Sequence, residues 1–203
     1  MKNGLPVSAL SEFVNEVRAA PGEAKASYGV HARWETGTRL AASAEPMHLG
    51  GRCVARSFSW KIDEPRQLLG ANHGPNPQEL LLSGVAGCIG VAFVMGATAR
   101  GVQIESLEIV LEGDLDLRGF MGLGGTPATG FPAIRYTLRV AADAPRETLD
   151  EIRREALAHS PNAQTIMSAV PFVGDLEVLT EPASEHIADA PAMRAARAAA
   201  TAG

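Results

Sequence analysis

The chain has 203 residues, of which 46% are hydrophobic, so it is long enough for one domain with a real core and short appendages. A net charge of -5 and a pI of about 5.6, with no basic run, exclude nucleic acid or an anionic membrane surface as the main partner. Two cysteines, Cys53 and Cys88, make neither a disulfide scaffold nor a zinc site. The first 22 residues lack an apolar core and a small-residue cleavage site, which points to a reducing, cytoplasmic setting.

Ser8 is placed to cap a short amphipathic helix carrying Leu10, Phe13, Val14 and Val17, ended by Pro21-Gly22. Residues 1–27 read as a helical appendage on a main domain of residues 28–180. The Ala- and Pro-rich residues 181–203 read as a flexible tail. Strands are expected over Tyr28–Trp34, Arg39–Ala44 and Val54–Ile62. The first two are joined by a turn at Glu35–Thr38. The third carries Arg56 on an otherwise apolar face. After Asp63-Glu64-Pro65 comes a loop to Pro75. Asn76 then caps a long helix with Pro77 in its first position, ended by Arg100-Gly101.

That helix is apolar on nearly every side and holds Gly84, Gly87, Gly90 and Gly96. Each glycine costs about 1 kcal/mol relative to alanine in a helix interior. Small residues let another backbone approach, and a helix apolar all round is normally surrounded. Its length suits a membrane span. Glu79 in the first turn and the glycines favour a buried core helix, and two copies packed across a homodimer would bury it. Strands are expected over Ile104–Asp116 and Phe131–Ala142, separated by a Gly-rich mobile loop at Gly119–Thr126 with no phosphate-binding spacing. A second helix (Arg146–His159), a helical turn (Ala163–Ser168) and a last strand (Pro171–Thr180) complete the order. Runs of strands broken by two large helices make this an α+β fold with antiparallel sheets.

Four stretches together carry a resemblance. They are Asn76-Pro77-Gln78-Glu79-Leu80, Ala86-Gly87-Cys88-Ile89, Arg100-Gly101 leading to Glu105-Ser106-Leu107-Glu108, and His159-Ser160-Pro161. Over about Gly29 to Leu179 the chain resembles the OsmC/Ohr family of thiol peroxidases. The resemblance implies an intertwined homodimer with sites at the subunit interface, reducing small-molecule hydroperoxides without cofactor or metal. It makes Cys88 the thiol that attacks the O–O bond and becomes a sulfenic acid. It also implies an arginine from the early strand–turn region that supports the thiolate. Arg39 is the best match, with Arg33 and Arg56 as alternatives.

Two positions depart from the family pattern. Ser160 stands where a second cysteine would resolve the sulfenic acid, so turnover would need an external thiol reductant. No spacing argument brings in Cys53. Gln78 stands where a carboxylate would pair with the arginine, and Glu79 is one residue later. At about 100° per residue, Gln78 lies roughly 80° around the helix from Cys88 and Glu79 roughly opposite. The expected site is therefore Cys88, Arg39, Gln78 and Glu79. Apolar walls around Cys88 favour an organic hydroperoxide. A passive ligand-binding dimer on the same fold is the competing expectation. Acyl transfer from Cys88, with His159 or His73 as base, has no local signature behind it.

Overall fold

The computed structural model describes residues 1–125 and 128–180. Compact units divide after Ala169. The first begins with helix α1, Val7–Ala19, followed by short strands β1 (Ala26–Ser27), β2 (Val30–Thr36), β3 (Arg39–Ala44), β4 (Met47–Leu49), β5 (Arg52–Val54) and β6 (Ser59–Ile62). The long helix α2 spans Pro77–Ala99, and strand β7 spans Ile104–Gly113. A single turn α3 (Leu117–Phe120) overlaps the start of the segment expected as a mobile loop, Gly119–Thr126. Strand β8 (Ile134–Ala142) and helices α4 (Arg146–Ala158) and α5 (Pro161–Met167) follow. All sheets are antiparallel: β1-β4-β5, β2-β3-β6 and a long β7-β8 ribbon. This is the expected α+β fold with a long central helix.

The start of α2 follows from its first residues. The Asn76 side chain accepts from the Glu79 backbone N–H at 2.8 Å, and the Glu79 carboxylate accepts from the Asn76 N–H at 2.8 Å. This reciprocal pair satisfies two amide donors that a helix start otherwise leaves open. At the other end Gly101 adopts φ +72°, a left-handed conformation that suits glycine.

One face of α2 builds the core. Val85, Ile89, Phe93 and Ala97 recur every four residues and are buried. Phe93 and Ala97 pack with Val102, Ile152 and Ala156, flanked by Leu107, Leu138 and Val140 from the β7-β8 ribbon. Val85 and Ile89 pack with Ala163, flanked by Ile109, Leu111 and Leu157. The opposite face is open: Val91 is 61% exposed and Met95 40%, and on the flank near the helix start Leu81 is 48% exposed. The helix is long and apolar enough to cross a membrane by length and composition. Its burial within the chain is one-sided; burial on all sides was expected only with a second copy packed across a homodimer.

The glycines divide along the same line. A Cβ on Gly90 would stand 3.1 Å from Ile109 Cδ1, and one on Gly96 3.3 Å from Ile152 Cγ2. These two serve packing inside the chain. A Cβ on Gly87 would meet nothing within 4 Å, and one on Gly84 only Asn162 Nδ2 at 3.6 Å. Gly84 and Gly87 thus serve no close packing inside the chain.

Several local expectations are corrected. Helix α1 begins at Val7 with Pro6 in the capping position and no side-chain cap, so Ser8 lies inside the helix. Strand β2 runs through Glu35 to Thr36, and the turn narrows to Gly37-Thr38, with Gly37 at φ +55°. Val54–Ile62 is not one strand. It breaks at residues 55–58, where Arg56 lies over the Phe58 ring at 4.6 Å, so the apparent alternation of Arg56 and Phe58 is a cation–π contact. No strand forms over 171–180. Phe172, Val173, Leu176 and Val178 are each at least 80% exposed there. A strand needs a partner edge to satisfy its backbone groups, and residues 171–180 pair with no strand among the described residues. The tail expected at 181–203 and the end of the Gly-rich segment, Thr126-Pro127, lie outside the described residues.

The N-terminus is clasped to the end of α2. Asn3, at φ +49°, donates from Nδ2 to Thr98 Oγ1 (3.1 Å) and to the Val102 carbonyl (2.9 Å). Its Oδ1 accepts from the Ile104 N–H at 2.8 Å. This contact accompanies the burial of Thr98, which is 2% exposed.

Candidate active site

Cys88 is half-buried. It lies three residues before Val91 and seven before Met95, which sets it on the flank of the open face of α2, one residue from the core position Ile89. Its thiol makes no hydrogen bond to any described residue. Beside it the open face borders an apolar cavity of about 640 Å³. Leu5, Pro6 and Leu10 of the N-terminal segment wall this cavity against Gly87, Gly90 and Val94 of α2 and Ile109 of β7. The N-terminal segment therefore covers part of the helix face and leaves the flank carrying Cys88 open.

Arg39 lies at the start of β3, in a polar cavity of about 610 Å³ lined by Arg33, Trp34, Glu35, Lys61 and His73. Its Nε donates to Glu35 Oε2 at 3.0 Å, and Nη1 stands 3.2 Å from His73 Nδ1. Glu35 also accepts from Lys61 Nζ. The Lys61 hydrogen bond is the main cause that lowers the Glu35 pKa, and the Lys61 and Arg39 charges add to it against partial burial. No described contact joins Arg39 to Cys88. Within one chain the two residues belong to different surfaces. Arg33 lines the cavity of Arg39, while Arg56 is occupied with Phe58.

Of the helix-start pair, Gln78 is half-buried and Glu79 is exposed, its carboxylate engaged in the cap of α2. Ser160 is fully buried. Its Oγ accepts from the Ala163 N–H at 3.3 Å and so caps α5. Cys53 is exposed on β5, opposite His48 of β4. No group of three His, Cys, Asp or Glu side chains among the described residues could hold a metal ion.

The sequence reading missed Asp63, which organises the Arg39 side of the site. It is 2% exposed and accepts from Thr38 Oγ1 (2.8 Å) and from the backbone N–H groups of Glu64 (2.9 Å), Ala71 (3.1 Å) and His73 (3.1 Å). Burial alone would raise its pKa. The hydrogen bonds outweigh that and hold the carboxyl well below the usual carboxylate range. Asp63 therefore folds the loop from Glu64 to His73 back onto β3 and sets His73 beside Arg39. Asp63-Glu64-Pro65 reads in sequence only as the end of a strand, because the partners that give Asp63 its role, Thr38, Ala71 and His73, lie 8 to 25 residues away.

Residues 70–173 match the sequence profile of the OsmC-like protein family. The chain belongs to that family. Its fold is similar to the crystal structure of an OsmC like protein from Mycoplasma pneumoniae. The two are 17% identical, with a TM-score of 0.55, over 70% of this chain and 87% of that one. It is also similar to the crystal structure of a hypothetical protein from Aquifex aeolicus VF5. That one is 12% identical with a TM-score of 0.52, again over 70% and 87% of the two chains. No curated protein matches the sequence. The match to the OsmC-like family includes α2 with Cys88 and the loop carrying His73. It begins after β2 and β3, so Arg39 and the N-terminal clasp lie outside it.

Proposed function

We propose that this OsmC-like protein is a cytoplasmic, homodimeric thiol peroxidase that reduces organic hydroperoxides through Cys88. The observation that carries the reading is the placement of Cys88. The thiol sits half-buried in mid-helix, on the flank of an apolar face that its own chain leaves open. A second copy laid on Leu81, Val91 and Met95 would cover that face and dry the thiol's surroundings. The open faces of Gly84 and Gly87 permit a close helix–helix approach. In that dimer Arg39 is the cation assigned to Cys88, with Gln78 helping to orient it. Glu79 acts by holding the helix start.

The Cys88 thiolate attacks the distal peroxide oxygen. The O–O bond breaks, the departing alkoxide takes a proton and leaves as alcohol, and Cys88 becomes a sulfenic acid. Arg39 stabilises the thiolate before attack and the negative charge that grows on the leaving oxygen. Ser160 cannot form a disulfide and is buried in a helix cap. A first external thiol therefore condenses with the sulfenic acid, releasing water and leaving a mixed disulfide. A second thiol displaces Cys88 and leaves as the disulfide of the reductant.

The apolar cavity beside Gly87 favours a second reading, a non-catalytic dimer that holds a small apolar ligand there. Sulfenic acid trapping separates the two. Reduced protein is mixed with cumene hydroperoxide, trapped with a dimedone-type reagent and read by intact mass, with Cys88→Ser as control. Trapping at Cys88 much faster than at free cysteine is expected. A rate no faster than free cysteine overturns the peroxidase and leaves the ligand-binding dimer.

A further inference from the structure

Arg39, His73 and Asp63 meet at one atom with incompatible needs. His73 Nδ1 is 3.2 Å from Arg39 Nη1 and 3.3 Å from Asp63 Oδ2. A guanidinium only donates and an ionised carboxylate only accepts. A ring nitrogen does one or the other, according to whether it carries a proton. Nδ1 therefore serves Arg39 when bare and Asp63 when protonated.

The two partners depend on it unequally. Asp63 already accepts from Thr38 and from three backbone N–H groups. Arg39 has one other side-chain contact, Nε to Glu35 at 3.0 Å. Neutral His73 supplies the second point of a two-point hold on the guanidinium and leaves Nη2 without a described partner. The charges facing the ring are Arg39 from β3, Arg33 and Glu35 from β2, and Lys61 and Asp63 at the end of β6. An imidazolium there repels Arg39 at close range and pairs with Asp63. The ring is about half exposed, so solvent protons reach it.

We propose that His73 is a positioning residue for Arg39, holding the guanidinium through a bare Nδ1 and releasing it when the ring is protonated and gives its Nδ1–H to Asp63. This rests on the role proposed above for Arg39. A guanidinium held at two points keeps Nη2 aimed, and one held only by Glu35 does not. Protonation of His73 therefore slows the attack by Cys88.

The test compares sulfenic acid formation at Cys88 with cumene hydroperoxide across pH in wild type, His73→Asn and His73→Ala. In His73→Asn the introduced side-chain oxygen stands as many bonds from the backbone as Nδ1 does in the wild type, and it accepts at every pH. The His73→Asn rate should match wild type at about pH 8 and exceed it roughly tenfold by about pH 5. That is the order expected for one hydrogen bond to a charged group, lost only in the wild type. His73→Ala should be slow by a similar factor throughout. Parallel wild-type and His73→Asn profiles overturn the proposal. A second readout needs no peroxide chemistry. In Cys88→Ser, nitrogen NMR should show neutral His73 protonated at Nε2, and the Arg39 Nε–H resonance should move with the His73 titration. A neutral ring protonated at Nδ1, or an unmoved Arg39 resonance, overturns it. If wild-type Cys88 reacts no faster than free cysteine, the peroxidase reading fails while the NMR arm still decides the link between His73 and Arg39.

Discussion

Gly87→Ala tests why the central helix tolerates glycine. In an isolated chain the substitution removes a helix penalty of about 1 kcal/mol, and the new Cβ meets nothing within 4 Å. The folded monomer should gain close to that amount. If a second copy packs a helix against this face, the same methyl enters the contact, and overpacking there costs about 1–3 kcal/mol. Gly87→Ala should then weaken the dimer by roughly fivefold to a hundredfold, at about 1.4 kcal/mol per factor of ten. Sedimentation equilibrium gives the dissociation constant, and urea melts at several protein concentrations separate monomer from dimer stability. We expect weaker association together with a more stable dilute monomer. Gly90→Ala is the control, because its Cβ meets Ile109 of the same chain at 3.1 Å. It should gain less than Gly87→Ala in the monomer. A Gly87→Ala protein that is more stable at every concentration, with unchanged association, refutes the close-approach reasoning.

Four further outcomes follow from the geometry. Asn76→Ala removes the α2 cap and should cost about 1 kcal/mol in a urea melt. Glu79→Ala should lower stability in the same assay while leaving the Cys88 oxidation rate unchanged, because its carboxylate serves the cap. Phe93→Ala, at a fully buried position, should cost about 3–5 kcal/mol and is read by the same melts. For Asp63 the folded pKa is depressed. The stability it contributes is therefore present above the ordinary carboxylate range and lost as pH falls through and below that range. Asp63→Asn should be less stable at neutral pH and show a shallower acid limb when melting temperature is measured from about pH 7 to pH 3.

The parts legible in the sequence were those whose causes are local. Asn76, Pro77 and Glu79 fix the start of α2 within four residues, and Arg100-Gly101 marks its end. The α+β order and Cys88 in mid-helix follow from the same stretch. The parts not legible depend on partners far along the chain. Asp63 acquires its role from Thr38 on one side and His73 on the other. Arg56 mimics a strand position because Phe58 draws it into a stacked contact. Residues 171–180 have the composition of a strand, yet a strand is a property of a pair, and no strand among the described residues pairs with them. Arg39 was singled out in sequence by resemblance, but the groups that hold it, Glu35 and His73, come from a neighbouring strand and a loop whose meeting no spacing announces.

The Asn3 clasp bears on the order in which the molecule is made. Its three partners, Thr98, Val102 and Ile104, are synthesised about a hundred residues after it. Asn3 must thus wait for the synthesis of about a hundred residues before its contacts exist. Until Ile104 emerges, Leu5, Pro6 and Leu10 have no helix face to lie on, and the apolar side of α2 is bare on completion. Contacts of such long range form late because loop closure precedes any gain from them. A nascent chain halted before residue 104 should therefore leave the segment around Asn3 open to a protease, and one halted after α5 should protect it.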